Sequence, residues 1–215
     1  GYLFEVDGRR VLACGDLKPD YLGYLADRFN TRVLYVRGNH DRNFGAESPG
    51  GCEDIHGRLV HHRGIRILGI EGSIWYNGAG IQYREYQVAL SALSRRFKLW
   101  RSGGIDIVVS HSPPRFCAEA FQLCETPVGD HALCPFRDRP GAEWQNCPEA
   151  SDRAHWGYKT FQQMIDRYQP AYWIHGHTHA GYGMADRWKQ VGNTAIGDAY
   201  EQLVFEYPAP ASATE

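Results

Sequence analysis

The chain has no apolar run near the roughly 18 residues that a membrane-spanning helix needs, and no membrane partner is expected. Basic residues are not in excess. The formal net charge is −2, which predicts no broad cationic face and gives a nucleic acid no electrostatic footprint. No signal peptide is visible at the start, and there is no internal repeat or low-complexity tract. The six cysteines, at 14, 52, 117, 124, 134 and 147, contain no paired C-x-x-C. Cys117 to Cys147 share a segment with His131 and His155, but without that pairing a structural zinc is a weak reading and loop thiols the plainer one. A chain this long does not need disulfides, so a reducing, cytoplasmic location is expected.

What is present is the composition of a globular protein: 215 residues, 43% apolar and 22% charged. One domain over 1–215 with a sizeable core is expected. Residues 10–14 (RVLAC) read as a short buried strand, 17–29 as a helix opening near Pro19-Asp20, and 32–37 as a second strand. Strand, helix, strand in so short a span is a βαβ unit with parallel strands. Residues 58–70 read as a hairpin turning at Arg63-Gly64. Between 82 and 100, Tyr86, Leu90, Leu93, Phe97 and Leu99-Trp100 are spaced for an amphipathic helix. Further strands are expected at 105–109, 171–174, 190–196 and 203–207, and a helix at 158–168. The polar stretch 112–156 has little periodicity, and its middle, about 117–150, reads as a loop insertion. Helices outside a sandwich of sheets fit this order.

Four apolar strands end in groups able to bind a metal: Asp16; Asn39-His40-Asp41; His111; and His177 with His179. Asn39 offers a neutral oxygen, His40 can carry a proton, and Asp41 is placed to hold the His40 imidazole. Open α/β sheets bind ligands at the carboxyl edge of their strands. Carboxylate, amide oxygen and imidazole together suit Mn, Fe or Zn, and the lack of thiolate argues for a catalytic rather than a closed structural site.

Gly15-Asp16, Gly38-Asn39-His40-Asp41, Ser110-His111-Ser112-Pro113 and Gly176-His177-Thr178-His179 together resemble the calcineurin-like metallophosphoesterases, in that family's order. The stretches Gly15–Pro19 and Tyr76–Gly78 are most similar to small bacterial members. The resemblance implies an α/β fold, a β-sandwich of mixed sheets flanked by helices. It implies hydrolysis of a phosphodiester or phosphomonoester by a metal-bound hydroxide. Asp16 would bridge two divalent metals, Asn39, His111 and His177 would complete one, and His179 would serve the other. His40 would protonate the leaving oxygen, with Asp41 orienting it. Arg42 and Tyr76 are candidate substrate contacts, and a small phosphoester is the expected partner.

The family's earlier block, an Asp-x-His on a preceding strand, has no counterpart before Asp16. Glu5 and Asp7 are the only acids there, and Asp7-Gly8 reads as a hairpin turn. The chain opens on Gly1 rather than Met, and the expectation is that the N-terminal strand with this block is missing. Two divalent ions (Mn, Fe, Zn or Ni, Mn favoured) are then expected in the full-length protein and one in this chain. The alternative is an impaired member of the fold serving as a protein-binding scaffold.

Plainer roles compete at each position. Asp16 could cap the following helix, Asn39 and Asp41 could cap a turn, and His111 could be a satisfied loop histidine. Arg42 and Lys18 could form surface ion pairs, and Tyr76 could sit in an ordinary turn. Asp152 reads as a helix cap, His175 as packing, and His61 and His62 as edge-strand residues. Substrate and oligomeric state are left open by the sequence.

Overall fold

The computed structural model describes residues 2–6, 10–42, 44, 48–115, 157–178 and 187–207. The expected insertion at about 117–150, with its four cysteines and His131, lies outside the described residues, as do Asp7, Asp152, His155 and His179.

Strands β1 (Tyr2–Val6), β2 (Arg10–Ala13), β3 (Val33–Tyr35), β4 (Cys52–Asp54) and β13 (Glu201–Val204) form one sheet in the order β13-β1-β2-β3-β4. The second sheet has the order β11-β12-β10-β9-β6-β5. Its strands are β5 (Leu59–His62), β6 (Ile65–Ile70), β9 (Ile107–Ser110), β10 (Tyr172–His175), β11 (Trp188–Val191) and β12 (Thr194–Asp198). Short strands β7 (Ser73–Ile74) and β8 (Gln82–Tyr83) pair in parallel beside it. The helices are α1 (Pro19–Phe29), α2 (Glu85–Arg101) and α3 (Lys159–Tyr168).

Alternation along the strands builds the layers, because successive side chains point to opposite faces. Leu12 and Cys14, Leu34 and Val36, Ile107 and Val109, and Ile174 meet in one cluster between the two sheets. The intervening Val11, Ala13, Val33 and Tyr35 face Leu22, Leu25 and Ala26 of α1. On the other side, Leu68, Val108, Trp173 and Ile196 pack against Val88 and Leu99 of α2 and Phe161, Met164 and Ile165 of α3. Helix, sheet, sheet and helix are therefore stacked as four layers. Emptying one central position, as in Phe161→Ala, costs about 3–5 kcal/mol.

The βαβ unit forms as expected, β2 and β3 pairing in parallel through α1. Pro19 opens that helix, and Asn30 closes it in the left-handed region at φ 46°. Asp16 is not its cap; Lys18 occupies that position. β5 and β6 pair antiparallel across Arg63-Gly64, both at positive φ. β1 runs antiparallel to β2 and lies between β2 and β13. The expected strand at 190–196 is instead a hairpin: β11 and β12 turn over Gly192, at φ 58°.

The largest correction concerns α2. Of the residues spaced for an amphipathic helix, Leu99 is buried, while Tyr86, Leu90, Leu93, Phe97 and Trp100 are exposed, where an apolar stripe is ordinarily expected to face the core. The opposite face packs instead, through Val88 and Leu99 with Ala92 against them. Periodicity locates a stripe but not the side on which the neighbouring layer lies. Glu85 fixes the choice. Its carboxylate accepts from the Lys159 and Thr160 amides (3.2 and 2.7 Å) and the Thr160 hydroxyl (2.6 Å), capping α3.

Candidate metal centre

β2 and β3 in one sheet and β9 and β10 in the other end at neighbouring edges, and the residues just beyond them converge. Asp16 follows β2, Asn39 follows β3, His111 follows β9 and His177 follows β10. One ligand atom each from Asp16, His111 and His177 lies within 4.8 Å of the others. Asn39, His111 and His177 are buried and Asp16 partly so.

His111 is fixed from behind. Its Nδ1 lies 2.7 Å from the Cys14 carbonyl oxygen, which can only accept, so Nδ1 carries the hydrogen. Burial depresses the imidazole's proton affinity, with the Asp16 charge opposing. A neutral ring leaves Nε2 as a bare lone pair. That lone pair faces Asn39 Oδ1 at 2.8 Å and Asp16 Oδ2 at 3.6 Å. The Asn39 amide is oriented by Tyr76, whose hydroxyl accepts from Nδ2 at 3.1 Å. Turning the amide over would pair Nε2 with an N–H; the orientation in the structure presents oxygen. With the ring neutral and Nδ1 carrying the hydrogen, Nε2, Asn39 Oδ1 and Asp16 Oδ2 meet as three acceptors, an arrangement that suits a divalent cation. The donor set, one carboxylate, one amide oxygen and imidazoles, fits Mn, Fe or Zn.

His177 lies against His111, ring centroids 4.7 Å apart. Its backbone is left-handed at φ 68°, a strained conformation for a non-glycine residue that surrounding contacts must hold. The Gly176 amide donates to the His111 carbonyl at 3.0 Å, and the Thr178 hydroxyl donates to Asp198 at 2.6 Å. Asp198 escaped sequence reasoning because it ends its own strand with no motif around it.

Asp16 is also left-handed, at φ 55°. Its Oδ1 accepts the His40 amide at 3.0 Å. The expected Asp41–His40 pair is not among the described hydrogen bonds. Asp41 Oδ2 accepts from the amides of Gly38 (2.7 Å) and Asp16 (2.8 Å) instead. Asp41 is buried, and its carboxylate satisfies backbone amides at the junction of two strand ends. Burial and the nearby Asp16 charge push the Asp41 carboxyl up to about 6, against those amide bonds. The His40 side chain is exposed at the rim.

Gly38 is required at this junction. A Cβ there would lie 2.6 Å from the Asp16 amide nitrogen and run into its carboxylate. Gly80 lets the 76–80 turn cross the Asn39 carbonyl with Arg42 alongside. Arg42 is exposed and Tyr76 half-buried, so both border the site. Gln82 Oε1 organises the turn by accepting from the amides of Tyr76, Asn77 and Gly78 at 3.1, 3.3 and 3.1 Å. Behind β3, Glu71 is buried, accepting from Arg37 Nε at 2.8 Å and Tyr83 hydroxyl at 2.6 Å. This brace was unforeseen, although an arginine inside the apolar run 33–37 was its signal.

His175 is buried packing, as expected, its Nδ1 beside the Gly176 carbonyl at 3.1 Å. His62 meets the Arg10 guanidinium on the edge strand. Cys14 is a free buried thiol whose proton affinity burial raises. Among the described residues, no helix is long and apolar enough to cross a membrane.

The chain is similar in structure to TT1561 of Thermus thermophilus, with 14% identity and a TM-score of 0.53 over 93% of this chain and 89% of that one. Another solved chain, 15% identical, gives 0.47 over 83% of this chain, which spans 64% of its length. No curated protein matches significantly. The family model for calcineurin-like phosphoesterases matches residues 7–181, a span holding Asp16, Asn39, His111 and His177. With that match over most of its length, and a mixed α/β sandwich flanked by helices, the chain belongs to the calcineurin-like phosphoesterase family.

Proposed function

We propose that this chain hydrolyses a small phosphomonoester or phosphodiester with a divalent cation held by Asp16, Asn39, His111 and His177, Mn²⁺ being favoured. The observation that carries the reading is the convergence of His111 Nε2, Asn39 Oδ1, Asp16 Oδ2 and the His177 ring at the ends of four strands. His179, two residues beyond His177, belongs to the same proposal as a further ligand, the family's second cation being expected in the full-length protein. A cation at this position supplies Lewis acidity and offsets phosphoryl charge.

The chain's own groups have separate tasks. His40, exposed at the rim with its amide tied to Asp16 Oδ1, gives a proton to the leaving oxygen as the P–O bond breaks and water oxygen joins phosphorus. Arg42 meets a phosphoryl oxygen with its planar guanidinium. Tyr76 keeps the Asn39 oxygen turned inward. Asp41 acts as a positioning residue: by binding the amides of Gly38 and Asp16 it locks two strand ends together.

The test is turnover of bis(4-nitrophenyl) phosphate and 4-nitrophenyl phosphate by the chelator-treated chain, with Mn²⁺, Fe²⁺, Ni²⁺ or Zn²⁺ restored singly. At least one ester is expected to turn over, and only with metal. No turnover with any ion would sink the enzyme reading and favour the scaffold.

A further inference from the structure

The outward face of α2 is built the wrong way round for a solvated helix. Tyr86, Leu90, Leu93, Phe97 and Trp100 fall within one narrow arc at helical spacing, and each is 56% to 74% exposed. The arc lies directly opposite Val88 and Leu99, the side chains that bury against the second sheet. Single exposed apolar residues are ordinary, but a contiguous row of five along four helical turns marks an interaction surface.

Charge around the row selects the partner. The two neighbouring helices α2 and α3 carry six Lys and Arg against two acids, in a chain of net charge −2. One acid, Glu85, is consumed by the α3 amides, and the other, Asp166, accepts from Gln162. Arg96, Lys98, Arg101 and Arg167 are exposed, and none takes part in the described ion pairs. Arg96 and Arg167 border an open groove of about 850 Å³ between the C-terminal ends of the two helices, with Phe97 and Trp100 in its wall. Aromatic and aliphatic side chains pointing outward, with cations along their flanks, match the interface of an anionic bilayer. The rings enter the acyl boundary there and the cations meet phosphate headgroups. A second copy of this chain would bring the same excess of cations to the contact.

We infer that the α2 face docks this protein peripherally on an anionic lipid surface. The expectation of no membrane partner rested on the lack of a spanning segment, and a helix lying in the interface needs none. Because α2 leads through Gly103-Gly104 into the start of β9, its C-terminal, basic end is remote from the metal centre at the other end of that strand.

The experiment is flotation of the purified chain with vesicles of phosphatidylcholine alone or with 30% phosphatidylglycerol, in 50 mM and 500 mM NaCl. Binding is expected only with phosphatidylglycerol and weaker at high salt. The variants Phe97→Ser/Trp100→Ser and Arg96→Glu/Arg101→Glu should each lower the apparent affinity by roughly tenfold or more. Their melting temperatures should stay near that of the parent, since exposed positions tolerate substitution. Metal-dependent turnover of a soluble ester is a separate readout, which the variants should not change, so failure of docking and failure of the phosphoesterase reading are distinguishable. Three results would overturn the inference: no flotation of the parent, flotation indifferent to both variants, or an equilibrium dimer that the variants dissociate while vesicles go unbound. A large fall in melting temperature would also count against it, showing that the face is covered by the chain itself.

Discussion

His111 turns its Nδ1 to the carbonyl oxygen of Cys14, 2.7 Å away. That one bond links a buried strand of the first sheet to a loop leaving the second, and it fixes which ring nitrogen is free for a cation. Metal-binding histidines are commonly set in this way from behind, and loss of such a partner alone weakens binding roughly 10- to 100-fold. His111→Ala should therefore reduce Mn²⁺ affinity by about a hundredfold or more in a calorimetric titration. Affinity within a few-fold of the parent would remove His111 from the site.

Asp41 is predicted to act through backbone amides. Asp41→Ala leaves the amides of Gly38 and Asp16 without their acceptor, at about 1–3 kcal/mol for each buried donor. Asp41→Asn offers an oxygen in the same place without a charge that burial disfavours. The asparagine variant should thus keep most of the stability and Mn²⁺ affinity, while the alanine variant loses both. Urea unfolding and metal titration of the pair decide it; an alanine variant as stable as the parent would refute the positioning role.

His40 is predicted to move a proton without holding metal. His40→Ala should lower kcat by roughly a hundredfold or more with Mn²⁺ affinity unchanged. If metal affinity fell while turnover per bound metal persisted, His40 would be a ligand instead.

Much of this site was legible because its signals are local. A buried strand, a glycine and a polar cluster adjoin in 33–41 and again in 172–178, which singled out Asn39 and His177 from neighbouring residues, while His111 was marked by the end of the apolar run 105–109. The partner of Asp41 was not. Its acceptor role depends on the Asp16 amide, 25 positions away, arriving beside Gly38 once two strands have paired. The reversal of α2 has a similar origin: the stripe is written in the helix, but the packed side is decided by Glu85 reaching α3. The Glu71 brace joins Arg37 to Tyr83 across 46 positions and left only a lone arginine as its trace.

The fold's pH response has one clear contributor away from the site. Burial alone would raise the Asp106 carboxyl, but Arg66, donating to it from Nε and its backbone amide (2.8 and 2.7 Å) and from its terminal nitrogen (2.6 Å), brings it below the ordinary value. A carboxyl lowered on folding contributes stability that is present above the unfolded value near 3.9 and lost as pH falls through the folded one. Asp106→Asn should cost about 2 kcal/mol at pH 7 and progressively less below pH 4. A difference that stays constant into acid would contradict the ionised pair.

The most direct measurement is the turnover of bis(4-nitrophenyl) phosphate and 4-nitrophenyl phosphate by the parent and by Asp16→Asn, each at saturating Mn²⁺ and again with chelator. The account predicts hydrolysis of at least one ester by the parent with metal, none with chelator, and a loss of roughly a hundredfold or more in the variant. Equal turnover in chelator, or by the variant, would contradict a metal held at Asp16 as the source of the activity.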